Sequence, residues 1–144
     1  MFFGGSVQET RQLFYTSWHK YRLGQPLLPL EQQLADVILA HPEYHALFEK
    51  EGSDNEQAYF PELGQTNPFL HMGLHLAVRE QVATNRPAGM IALFQQLIAK
   101  YHDTLTVEHQ IMECLAECLW QAQRNGCEPN ELDYINAIRQ LTTN

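Results

Sequence analysis

The chain has 144 residues, 44% of them hydrophobic, with 17 acidic against 9 basic side chains and a formal net charge of −8. That length suits a single domain over 1–144 with its own core, and the hydrophobic content is too high for a disordered chain. The acidic balance disfavours nucleic acid as a partner, because phosphate contacts need clustered Lys and Arg. No apolar run approaches the ~20 residues of a membrane span, so no membrane association is expected. The opening MFFGGSVQETR lacks a basic stretch followed by an apolar one and does not read as a secretory signal. Three cysteines without disulfide-framework spacing point to a reducing, cytoplasmic setting.

A first helix is expected from an N-cap at Ser6 to about Tyr21, with Leu13, Phe14, Tyr15 and Trp18 forming a heavy aromatic side. Gly24 stops it, and Pro26 keeps the helix from resuming. A second helix starts near Pro29 or Leu30 and carries Leu34, Val37, Ile38 and Leu39 toward His41. Pro42 ends or kinks it and suits the first position of a short helix over EYHALFEK. Glu51–Gln65 is polar and reads as a long loop. Asn67 then caps a helix that opens on Pro68 and runs to about Thr84, with Leu70, Leu74, Ala77, Val78 and Val82 at helical spacing. A turn at 85–89 leads to a helix over Met90–Tyr101. Another helix spans about Thr106–Arg124, closed by Asn125-Gly126, and a last one about Glu128–Leu141. No alternating apolar–polar stretch persists between turn signals, so no sheet is expected. The reading is an all-α, single-domain helical bundle of five to six helices. Its core is expected from the first helix and the three helices between Pro68 and Arg124.

The chemistry centres on histidine. His71 and His75 are four residues apart, so both imidazoles lie on one helix face, one turn above the other. They share that face with Leu74, Val78 and Val82 and so point inward. A divalent metal needs several lone pairs aimed at one point, and His-x-x-x-His supplies two. His109 and Glu113 repeat the spacing on a later helix. Three imidazoles and a carboxylate make a set suited to zinc, iron, manganese or nickel. The competing reading is structural: a buried His donates a ring N–H to a carbonyl or carboxylate, and Glu113 pairs with His75 or Arg79. In HPEYH, His45 is the candidate third histidine, and His41 has the plainer role of capping a helix C-terminus. His19 and His102 read as surface residues. Cys114 and Cys118, four apart, read as small buried hydrophobes. There is no Ser–His–Asp or Cys–His–Asp signature and no glycine-rich phosphate loop, so no catalytic residue is assigned and no nucleotide cofactor is expected.

The stretches NPFLHMGLHLAVREQ at 67–81 and EHQIMECLAECLWQAQR at 108–124, with HPEYH at 41–45, resemble a family of small bacterial proteins defined only as a domain of unknown function. The resemblance extends over nearly the whole chain and implies a compact bacterial cytoplasmic protein. It brings no activity with it. It places His71, His75, Glu80, His109, Glu113 and Trp120 within the family's motifs. A looser likeness is to helical metal proteins that join one His from an early helix to His-x-x-x-His from a later one, an outline that His45, His71 and His75 fit.

These residues support two function classes. The first is a metal-binding helical protein with hydrolytic or group-transfer chemistry at an open coordination position. The second is a non-enzymatic adaptor that binds a protein partner or a second copy of itself, with structural histidines. In both, His71 and His75 are expected to face His109 or Glu113 across a helix–helix seam.

Overall fold

The computed structural model describes residues 7–49 and 66–143. The expected cap at Ser6 and the loop over Glu51–Gln65 lie outside them. Among the described residues there are seven α-helices, one 3-10 turn and no strand: α1 Val7–Arg22, α2 Pro29–Leu39, a 3-10 turn Pro42–Tyr44, α3 His45–Glu49, α4 Pro68–Thr84, α5 Met90–Tyr101, α6 Thr104–Asn125 and α7 Glu131–Thr143. The all-helical class is as expected, with one or two more helices than the sequence pattern predicts. No helix among the described residues is long and apolar enough to cross a membrane. The chain divides into two compact units, Met1–Leu76 and Ala77–Asn144, and the division falls within α4.

Helix ends obey local chemistry closely. Gly24 takes a left-handed φ of 69° after α1, and the Gln25 N–H reaches back to the Lys20 carbonyl at 2.9 Å. Gly126 does the same after α6 at φ 63°, with the Cys127 N–H on the Ala122 carbonyl at 3.0 Å. Only glycine adopts that conformation without cost. Asn67 caps α4 through its side-chain oxygen, which accepts from the Phe69 N–H at 3.0 Å and the Leu70 N–H at 3.2 Å. Replacing Asn67 with alanine leaves those amides to water and should cost about 1 kcal/mol in urea unfolding. An unchanged midpoint would show the cap to be idle. α6 begins two residues earlier than Thr106, because the Asp103 carboxylate is the acceptor for the Thr106 N–H at 2.9 Å. The Asn130 side chain caps α7 in the same way, through the Asp133 N–H at 3.1 Å, so the last helix starts at Glu131.

In the first unit α1 packs on α2. Phe14, Tyr15 and Trp18 of α1 meet Leu34, Val37 and Ile38 of α2, Phe48 of α3, and Phe69, Met72 and Leu76 of α4. α2, which the sequence pattern does not place in the core, is thus a principal partner of α1. The aromatic rings interlock: Phe14 and Phe69 meet edge-on with centroids 5.7 Å apart, and Tyr15 lies 5.0 Å from Phe48. Burial also corrects the inward stripe of α4. Leu70 is 61% exposed, whereas Phe69, Met72, His75 and Leu76 are buried. The larger apolar surfaces of Phe69 and Met72 turn that end of the helix one position away from the face read from Leu70 and Leu74.

Lys20 of α1 donates to Glu31 of α2 at 2.8 Å, and the other Glu31 oxygen accepts from the Leu28 N–H at 2.8 Å. The Lys20 contact, then the Leu28 amide, hold the Glu31 carboxyl below its ordinary range, against the opposing effect of burial. A depressed folded-state pKa means the contribution to stability is present above the ordinary carboxylate value and is lost as pH falls through the folded value. The Tm gap between the protein and its Glu31→Gln variant should therefore be widest at neutral pH and shrink on acidification. A gap constant with pH would rule the linkage out.

In the second unit α5, α6 and α7 pack pairwise. Met90, Leu93 and Leu97 are buried with Val107, Ile111 and Leu115, and with Tyr134, Ile135 and Ile138. The Tyr134 hydroxyl donates to the Gln81 side chain at 2.6 Å. Burial, then the neighbouring Cys114 and Cys118, push that phenol far above its usual range.

Candidate metal centre

Pro42 builds one side of the site. A residue before proline is pushed out of the helical region, and His41 sits at φ −126°, ψ 71°. α2 therefore ends just before it. The His41 ring folds back over the last turn of α2, and its Nδ1–H donates to the Val37 carbonyl at 2.7 Å. Because a carbonyl can only accept, the proton is on Nδ1, and Nε2 of neutral His41 carries a lone pair. His75 and His71 build the other side from successive turns of α4. His41 Nε2 lies 3.2 Å from His75 Nε2, which lies 3.2 Å from His71 Nε2. The ligand atoms of all three fall within 4.8 Å of one another. His75 is fully buried, His41 nearly so, and His71 half-buried. The three rings meet edge to face with centroids 4.7–5.1 Å apart. Tyr44 stacks on the outer face of His41 at 5.5 Å.

The convergence of Nε2 atoms suits a shared cation as well as hydrogen bonding. An Nε2 atom projects one in-plane direction, filled by either a lone pair or a proton. His75 Nε2 has two nitrogen neighbours at 3.2 Å, and one proton cannot serve both. A cation that accepts all three lone pairs serves every ring at once. Two imidazole nitrogens held 2.0–2.1 Å from one tetrahedral zinc stand about 3.3 Å apart, close to what is found. The Val37 carbonyl fixes the His41 tautomer, the outer contact that a histidine would need in order to ligate a metal.

The histidine from the HPEYH stretch is therefore His41, with His45 outside the group. Pro42 parts the two: His45 opens α3, its Nε2–H donates to the Ile38 carbonyl at 2.8 Å, and its ring packs 4.8 Å from Trp18. His41 does cap α2, as its position suggests, but with Nδ1 only. Capping and ligation do not exclude each other, because an imidazole has one nitrogen for each. The signal for this in the sequence is the proline after His41, which dictates the fold-back.

His109 and Glu113 lie one turn apart on α6 of the second unit, both exposed. Glu113 lines a groove between α6 and α7 with Cys114 and Cys118, which are half-buried side chains, not core ones. Arg79 is paired with Glu108, not with Glu113: its Nε and Nη2 donate to the two Glu108 oxygens at 3.0 and 3.2 Å. Glu108 is the buried acid of α6. Glu80 and Trp120, both within the resemblance motifs, are exposed.

No curated protein and no solved structure matches the chain significantly. A family model described as a domain of unknown function, DUF1841, matches residues 6–140. The match takes in all three histidines of the cluster and both long motifs, and the chain belongs to the DUF1841 family.

Proposed function

We propose that this protein binds one divalent transition-metal ion through the Nε2 atoms of His41, His71 and His75. The observation that carries the reading is the pair of 3.2 Å nitrogen–nitrogen separations around buried His75. An all-imidazole set suits zinc, nickel and iron better than manganese, which prefers oxygen donors. With a fourth donor from the protein, the coordination is closed and structural. With water in that position it is open, and the ion can serve hydrolysis or group transfer as a Lewis acid. The three free cysteines suit the reducing cytoplasm in which we place the protein.

The test is metal analysis of untagged protein purified without chelator, then titration of stripped protein with zinc, nickel and iron(II). About one ion per chain is expected. If none of these metals copurifies and none binds, the histidines are structural and the adaptor reading takes over.

A further inference from the structure

The second unit holds a groove that the histidine centre does not use. It lies between α6 and α7 and encloses about 490 Å3, within the range of small-ligand sites. Ala122, Ala137 and the ring of Tyr134 give it apolar walls. Its charged lining is Glu113, Glu117, Glu128 and Asp133, with no Lys, Arg or His among the lining residues. Among the described residues none of these four carboxylates forms an ion pair; Glu117 accepts only from the neutral Gln121 amide, at 3.0 Å. The uncompensated charge is felt inside the groove. After burial itself, Glu113 pushes the Cys114 thiol up and Asp133 pushes the Cys118 thiol up. Both thiols stay protonated at neutral pH, so the groove is a negative recess without a thiolate nucleophile.

Surface carboxylates usually face water and bind nothing. Here they surround a concave, partly apolar space, and that combination selects a ligand. Among the described residues no three carboxylates converge closely enough to share one metal ion. The complement is a slender molecule with an apolar stem and several separated positive charges. Glu113 and Glu117 are about 6 Å apart along the helix axis, the length of a three- or four-carbon diamine spacer. Trp120, outside the groove lining, holds the Arg124 guanidinium over its ring at 5.2 Å, which shows that an aromatic face on this helix takes a cation. We propose that the α6–α7 groove binds a linear aliphatic polyamine of the spermidine type.

The experiment titrates the full chain with spermidine at low ionic strength, by calorimetry and by NMR of the alanine methyl groups. Saturable one-to-one binding is expected, with shifts concentrated at Ala122 and Ala137. The double variant Glu113→Gln, Asp133→Asn, at two exposed positions, should fold as the parent by circular dichroism and bind about tenfold more weakly or worse. Magnesium at equal concentration should not compete. Metal-stripped protein should bind spermidine as well as metal-loaded protein does, which keeps this result separate from the histidine centre. The proposal falls if spermidine does not saturate, if the two alanine methyls do not move, or if the double variant binds equally well. It also falls if hexalysine takes the same methyl sites more tightly than spermidine, since the groove would then be a seat for a basic segment of a partner protein.

Discussion

Replacing His75 with alanine should abolish metal binding and, with it, the stability that the metal lends. His75 Nε2 is the middle atom of the three, 3.2 Å from each neighbour, and its side chain is fully buried. Removing it takes the middle ligand from the set and leaves His41 and His71 without their common neighbour. A ligand that binds only the folded state stabilises it by RT ln(1 + [L]/Kd), about 4 kcal/mol when free metal exceeds Kd a thousandfold. The parent protein should therefore lose a comparable amount when treated with chelator, and His75→Ala should show no response to zinc or to chelator. Comparing the two metal-free proteins gives the separate packing cost of the missing ring, so the metal effect is read from the response and not from the variant's stability alone. His71→Ala, at a half-buried position, gives the same test with less disturbance of the core. Retention of one zinc per chain by either variant would exclude the three-histidine site.

Arg79→Ala should destabilise the protein by about 2 kcal/mol. The Glu108 side chain is only 4% exposed and accepts two charge-assisted hydrogen bonds from the Arg79 guanidinium. Without that guanidinium the nearly buried carboxylate loses two charge-assisted hydrogen bonds, which are stronger than neutral ones. The reverse change is milder. Arg79 is 32% exposed, so in Glu108→Gln its guanidinium turns partly to water while the amide oxygen still accepts one hydrogen bond. That variant should cost about 1 kcal/mol. Urea unfolding of both gives the comparison. Equal costs, or a smaller cost for Arg79→Ala, would mean that burial of Glu108 is not what makes this pair matter.

Sequence alone determined the features that depend on near neighbours along the chain. The start of α4 at Asn67 and Pro68, the stops at Gly24 and Gly126, and the break at Pro42 all arise within one turn of backbone, from a side-chain acceptor, a missing N–H or a permitted positive φ. The facing of His71 and His75 belongs to the same class, since residues four apart on a helix must share a side. Tertiary structure decided the rest. The third histidine is His41 because the chain reverses at Pro42 and the two imidazoles of HPEYH then meet different carbonyls, Val37 for one and Ile38 for the other. The inward stripe of α4 runs through Phe69 and Met72 because the aromatic side chains of α1 and α3 are there to receive them. Glu108, not Glu113, became the buried acid of α6 because Arg79 reaches it. In each case several residues had the right spacing. The choice among them was made by which partner, far away in sequence, filled the space opposite.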